Sequence, residues 1–129
     1  MLNGDRMRVV IADDQRLVRA GVVRLLEARG HSVVGEARDG FEALELARSL
    51  RPDLVLMDIG MARCSGLEAT RLIKAELPEV KVVLVTDGDG DRLETAGPGP
   101  DGYVFKDGTG DELELTLAAV AESRRKEFR

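Results

Sequence analysis

Leu54-Val55-Leu56-Met57-Asp58 is a short apolar run that ends in a single carboxylate. A run of this length without polar alternation is typical of a strand buried on both faces of a parallel sheet. Similar segments, rich in β-branched residues, recur at residues 8–12, 32–37, 81–85 and 102–105. The sequence therefore predicts five strands.

Segments with a helical period separate these strands. Apolar residues recur at three- and four-residue steps within residues 17–28, 43–50, 67–77 and 113–121. Gly30 follows the first helix as a C-cap candidate, and Asp39 opens the second. Ser65 and Glu68 form a capping-box pattern at the start of the third. Repeated strand–helix units with right-handed crossovers predict an α/β fold with a doubly wound parallel sheet.

Residues 87–101 break this rhythm. Four Gly and two Pro lie between positions 88 and 100. Proline lacks an amide donor and cannot continue a helix, so residues 91–96 are the longest helical piece that this stretch allows. We therefore expect the fourth helix of the fold, between the fourth and fifth strands, to be short or irregular.

Composition excludes several classes of function. The chain has 129 residues, enough for one domain. Its 24 acidic and 19 basic residues give a net charge of −5, which argues against a stand-alone nucleic-acid binder, since phosphate contacts need clustered Lys and Arg. The single cysteine, Cys64, is interpreted as an ordinary loop residue and fits a reducing compartment. We expect residues 1–7 to be a leader, and they lack the apolar stretch of a signal peptide. We therefore expect a cytoplasmic protein without a membrane partner.

Carboxylates fall at the predicted carboxyl ends of two strands. Asp13 and Asp14 follow the first strand, and Asp58 ends the third. These two strands are neighbours in a doubly wound sheet, so the three carboxylates converge. Close carboxylates repel each other unless a cation joins them, and hard oxygen ligands in this number suit Mg²⁺. Thr86 and Lys106, at the ends of the fourth and fifth strands, complete a crevice able to hold a metal and a phosphoryl group together.

Five short motifs, taken in order, resemble the receiver domain of bacterial two-component response regulators. They are VIADD at residues 10–14, LMDIGM at 56–61, SGLEAT at 65–70, LVT at 84–86 and GYVFKD at 102–107. The match spans Met7 to Ser123, and residues 34–37 and 67–70 are most similar to the NarL/FixJ (LuxR-type) subgroup. The resemblance implies a flavodoxin-like fold with strand order 2-1-3-4-5. It also implies a receiver domain at residues 8–122, with residues 123–129 starting a linker to an output domain absent from this chain.

The resemblance assigns a role to each acidic residue of the crevice. Asp58 would accept a phosphoryl group from a phosphohistidine of a sensor histidine kinase. Asp13, Asp14 and Asp58 would hold Mg²⁺, together with the backbone carbonyl of Gly60. These roles fit the chemistry, because a carboxylate can carry a phosphoryl group covalently and a metal neutralises the transferring oxygens.

Three further residues receive roles from the resemblance. Lys106 would contact the phosphoryl oxygens, Thr86 would close onto the phosphate, and Tyr103 would swing inward with it. The chain departs from the family at Ala62, where a proline is usual, and at residues 87–101, which replace most of a helix. We therefore expect intact acceptor chemistry and an altered signalling face, the face that carries dimerisation or output in the family.

The sequence leaves three candidate functions. The leading hypothesis is a phosphorylation switch that is not an enzyme, apart from self-catalysed phosphotransfer and autodephosphorylation. Its partners would be a sensor histidine kinase and a second copy of the chain. Its output would be transcription regulation, with DNA bound only through the absent output domain. The alternative is a degenerate receiver, an interaction or dimerisation module independent of phosphate. The third, a phosphatase with an aspartyl nucleophile, requires an Asp-x-Asp pattern, which Asp13 and Gln15 do not fit.

Overall fold

Strands and helices alternate along the chain. The computed structural model describes residues 6–86, 99–105 and 110–127. Within that part the elements are β1 (Arg8–Ala12), α1 (Arg16–Ala28), β2 (Ser32–Ala37), α2 (Gly40–Leu50), β3 (Leu54–Asp58), α3 (Gly66–Glu76), β4 (Lys81–Thr86), β5 (Gly102–Phe105) and α4 (Gly110–Glu127). All five predicted strands are present.

The five strands form one parallel sheet in the order β2-β1-β3-β4-β5. This order confirms the predicted doubly wound, flavodoxin-like fold. The central strand β3 is buried along its whole length, as its apolar run requires. The register places Ala12 of β1 opposite Met57, and Asp58 opposite Val85 of β4. The carboxyl ends of β1, β3 and β4 therefore meet at one edge of the sheet.

Alternate residues of β3 face two separate cores. Val55 and Met57 join the core that α2 and α3 cover. Leu54 and Leu56 join the opposite core, which α1 and α4 cover. Each of these side chains gains roughly 1.5–3 kcal/mol on full burial. Both faces thus hold β3 in place, and with it the carboxylate at its end.

The predicted helix caps are confirmed. The carboxylate of Asp39 accepts a hydrogen bond from the Glu42 amide at 2.9 Å at the start of α2. The hydroxyl of Ser65 accepts one from the Glu68 amide at 3.2 Å at the start of α3. Gly30 follows α1 with a φ of 89°, the left-handed conformation that favours glycine. An N-terminal side-chain cap contributes about 1 kcal/mol. The caps at Asp39 and Ser65 therefore help to fix where α2 and α3 begin.

The stretch predicted to be irregular lies outside the described residues, apart from positions 99–101. Asp101 anchors the chain there. Its carboxylate accepts hydrogen bonds from the Val82 amide at 2.8 Å and from Nζ of Lys74 at 3.0 Å. In the described part of the chain, no helix has both the length and the apolar character to span a membrane.

Candidate metal centre

Three carboxylates meet at the carboxyl edge of the sheet, as predicted. One oxygen from each of Asp13, Asp14 and Asp58 lies within 4.8 Å of the other two. Asp13 and Asp58 are each 5% exposed, whereas Asp14 is open to solvent. The close approach follows from the topology, because β1 and β3 are adjacent and parallel. Two of the three carboxylates therefore belong to residues that are almost fully buried.

Hydrogen bonds fix the backbone around Asp13. Its amide donates to the carbonyl of Ala37, the last residue of β2, at 3.0 Å. Its Oδ1 accepts from the Gln15 amide at 2.8 Å, which bends the chain from β1 into α1. The N-cap residue of α1, Gln15, makes no capping hydrogen bond through its side chain. The positive end of the helix dipole thus lies beside the carboxylates.

Arg19 joins three elements next to this site. Its Nη1 donates to the backbone oxygen of Asp13 at 2.7 Å, and its Nε donates to Glu36 of β2 at 3.1 Å. The side chain is only 13% exposed. The sequence alone does not predict this contact. One feature of the sequence marks Arg19 as unusual: it is an arginine in the first turn of a helix, where the helix dipole favours acidic residues.

The loop after β3 folds back onto the acceptor candidate. The Gly60 amide donates to Oδ1 of Asp58 at 3.3 Å. The Ile59 amide donates to the carbonyl of Val85 at 3.0 Å, and the Gly66 amide donates to the carbonyl of Ile59 at 3.1 Å. The loop between β3 and α3 is therefore closed at its base, with the Asp58 carboxylate oriented by the Gly60 amide.

The far side of the same loop is tied to α2. Arg63 adopts a φ of 72° and its Nη1 lies 3.4 Å from Oδ2 of Asp39. The Gly40 amide donates to the carbonyl of Cys64 at 3.2 Å. A Cβ at Gly40 would lie 2.6 Å from that oxygen, so only glycine allows the approach. The loop is thus clamped between the start of α2 and the end of β3.

Cys64 differs from the expectation of an ordinary loop residue. It is 1% exposed and belongs to the core under α2 and α3, because the clamp on the loop turns it inward. Burial raises the pKa of the Cys64 thiol, and the nearby carboxylate of Glu68, 3.6 Å from Sγ, raises it further. The thiol therefore stays protonated at neutral pH.

The remaining predicted site residues lie on β4, β5 and their ends. Thr86 is the last residue of β4 and is 3% exposed, one position beyond the Val85 that pairs with Asp58. Tyr103 lies on β5 opposite Leu84 and packs, half-buried, against the core under α2 and α3. Lys106, which follows β5 directly in sequence, lies outside the described residues.

The donor set suits a hard divalent cation. Among the described residues, these three aspartates are the one group of acidic, His or Cys side chains close enough to share an ion. All three offer carboxylate oxygens, and the crowding of like charges favours a bound cation. The acidic pocket could therefore bind a metal.

Comparisons with known proteins agree with this arrangement. The family model described as the response regulator receiver domain matches residues 9–118. The chain is 41% identical over 123 residues to the uncharacterized transcriptional regulatory protein YxjL of Bacillus subtilis, covering 93% of this chain and 56% of that protein. It is 40% identical over 124 residues to the response regulator GacA of Pseudomonas aeruginosa, covering 92% and 57%. The chain thus spans a little over half the length of these relatives.

Solved structures show the same fold. A two-component response regulator of the LuxR family from Aurantimonas sp. SI85-9A1 superposes with a TM-score of 0.84 at 35% identity, covering 92% of this chain and 87% of that one. A DNA-binding response regulator of the LuxR family from Staphylococcus aureus superposes with a TM-score of 0.81 at 28% identity, covering 89% and 98%. Both likenesses extend over almost the whole of this chain.

Proposed function

The chain belongs to the response regulator receiver family, and we propose that it is a phosphorylation switch whose acceptor is Asp58. The observation that carries the proposal is the position of the buried Asp58 carboxylate, within 4.8 Å of Asp13 and Asp14 at the carboxyl edge of the sheet. Receiver domains of transcriptional regulators act as signalling switches rather than as enzymes. In this proposal the chain's own chemistry is limited to self-catalysed phosphotransfer and autodephosphorylation.

The residues at this edge fit Mg²⁺. Asp13, Asp14 and Asp58 would hold the ion through carboxylate oxygens, with the backbone carbonyl of Gly60 as a further ligand. Bound there, the ion supplies positive charge that neutralises the transferring phosphoryl oxygens. The donor set supports this assignment because it consists of oxygen ligands alone.

The acceptor chemistry needs a positioned carboxylate. A carboxylate oxygen of Asp58 forms a bond to phosphorus while the bond from phosphorus to the nitrogen of a phosphohistidine breaks. The donor's imidazole keeps the electron pair, and the product is an acyl phosphate on Asp58. The Gly60 amide, which donates to Oδ1 at 3.3 Å, helps to orient the carboxylate for this attack.

The proposed switch uses residues on the neighbouring strands. Lys106 would contact the phosphoryl oxygens. The buried hydroxyl of Thr86, at the end of β4, would close onto the new phosphate. Tyr103, on the adjacent β5, would move inward with it. Small shifts of this kind can bias a surface between two states.

The proposal extends to organisation and partners. The receiver domain is assigned to residues 8–122, with a leader at 1–7 and the start of a linker at 123–129. A sensor histidine kinase would be the phosphoryl donor in the cytoplasm, and a second copy of the chain would be a partner in a homodimer. DNA binding and transcription regulation would come through an output domain outside this chain.

Intact mass spectrometry tests the proposal. The protein is incubated with Mg²⁺ and a small phosphodonor such as acetyl phosphate. We expect a mass increase of one phosphoryl group. A protein that gains no phosphoryl group would instead act as a phosphate-independent module. Steady multiple turnover of a phosphate ester would indicate a phosphatase and contradict the switch.

A further inference from the structure

We propose that Arg19 is a positioning residue that holds Asp13 and Asp14 in the geometry that binds Mg²⁺. The inference rests on the proposed function of the acidic site. Arg19 itself offers no ligand to a cation and acts only through the backbone of Asp13.

The guanidinium of Arg19 bridges three elements. It extends from α1 and donates to the backbone oxygen of Asp13, directly after β1, and to Glu36 on β2. The bond to the Asp13 carbonyl is 2.7 Å long, and the side chain is 13% exposed. A charged donor at this distance makes a stronger hydrogen bond than a neutral one, and exclusion of water strengthens it further. The planar fork of arginine suits this two-point contact, which the compact ammonium of lysine cannot reproduce.

The carbonyl that Arg19 holds belongs to the peptide unit between Asp13 and Asp14. A peptide unit is planar, so fixing this oxygen also fixes the direction in which the chain leaves toward Asp14. The amide on the other side of Asp13 is already held by Ala37. The peptide units on both sides of Asp13 are thus held by hydrogen bonds. Arg19 holds the one that leads to Asp14 and so fixes the position of Asp14.

Charge alone predicts the opposite effect on metal binding. A guanidinium beside a cation site repels the incoming ion, so its removal should tighten binding if only its field matters. Its ion pair with Glu36 offsets part of that field. A positioning role predicts weaker binding when Arg19 is removed. The sign of the change therefore separates the two roles.

Mg²⁺ titration calorimetry on four variants tests the inference. Arg19→Ala should weaken Mg²⁺ binding about 10-fold or more, the usual effect of removing a group that orients metal ligands. Arg19→Lys should fall between that variant and the wild type. Glu36→Gln, which keeps the donor to Asp13, should change binding less than Arg19→Ala. Arg51→Ala removes an exposed ion pair with Glu79 and is the matched control, with unchanged Mg²⁺ binding.

One further measurement separates a loss of Mg²⁺ binding from a loss of stability. Thermal unfolding in excess chelator measures any loss of stability without metal. If Arg19→Ala does not fold, Arg19→Lys decides the question, because binding equal to the wild type would then overturn the inference. Unchanged or tighter Mg²⁺ binding by folded Arg19→Ala would also overturn it. A wild type that binds Mg²⁺ but accepts no phosphoryl group contradicts the proposed function alone.

Discussion

Gly66 lies directly against the backbone of Asp58, so that the first residue of α3 touches the end of β3. A Cβ at Gly66 would collide with the carbonyl oxygen of Asp58 and would lie 2.8 Å from the Cα of Ile59. Both contacts are with backbone, which cannot swing aside. The loop that carries Gly60 is closed at its base by this approach.

Gly66→Ala should therefore destabilise the protein. We expect the free energy of unfolding to fall by about 1–3 kcal/mol, because the backbone must shift to admit the methyl group. Urea unfolding followed by circular dichroism measures it. Gly21→Ala is the control, since nothing lies within 4 Å of a Cβ at that position of α1. It should be neutral or stabilising, by up to about 1 kcal/mol. Equal effects of the two substitutions would contradict the close approach.

Arg63 should tolerate glycine far better than valine. Its φ of 72° is easy for glycine and strained for a β-branched side chain. Arg63→Gly loses the ion pair with Asp39 but relieves strain, so the free energy of unfolding should change by less than about 1 kcal/mol. Arg63→Val should be at least about 1 kcal/mol less stable than Arg63→Gly in urea unfolding. Equal stabilities would show that the loop does not keep this conformation.

The Cys64 thiol should resist alkylation in the folded protein. Burial and Glu68 raise its pKa, so the reactive thiolate is scarce at pH 8. Iodoacetamide labelling followed by mass should be slow in buffer and fast in urea. Rapid labelling of the folded protein would contradict the buried position.

Stability should also depend on Cys64 at alkaline pH. Because the pKa is raised in the folded state, the folded protein holds the thiol proton more tightly than the unfolded chain. This contribution is complete below the unfolded value of about 8.5 and is lost as pH rises above it. Cys64→Ala should therefore lose less stability than the wild type as pH rises above about 8.5. Identical pH profiles would contradict the pKa direction.

Metal removal should stop phosphorylation. Excess chelator leaves the three carboxylates without the cation that offsets their repulsion of an anionic donor. Intact mass after treatment with acetyl phosphate should then show unmodified protein. Asp14→Ala should weaken Mg²⁺ binding in calorimetry and retain its fold, because Asp14 is exposed. Equal labelling with and without chelator would rule out the role of the metal.

The three aspartates could be predicted because strand order and strand ends are properties of the backbone. Once the apolar run ending in Asp58 and the run before Asp13 are neighbouring parallel strands, their carboxyl ends must meet at one edge. Helix caps could be predicted for a similar reason, since Ser65 and Asp39 act on amides only three residues away.

Contacts between distant elements could not be predicted. Arg19 reaches from α1 to Asp13 and to Glu36 of β2 through a long side chain, and an arginine in the first turn of a helix does not by itself indicate which groups it contacts. The left-handed conformation of Arg63 follows from the clamp between α2 and β3, which no local signal encodes. The burial of Cys64 depends on that same clamp.

Intact mass after treatment with phosphodonor and Mg²⁺, with wild type and Asp58→Asn treated side by side, decides whether Asp58 is the phosphoryl acceptor. Asp53→Asn is the control, since Asp53 precedes β3 at the opposite edge of the sheet and accepts the Arg8 amide there. Wild type and Asp53→Asn should each gain one phosphoryl group, and Asp58→Asn should gain none. A phosphoryl group on Asp58→Asn at the wild-type level would contradict the assignment of Asp58 as the acceptor.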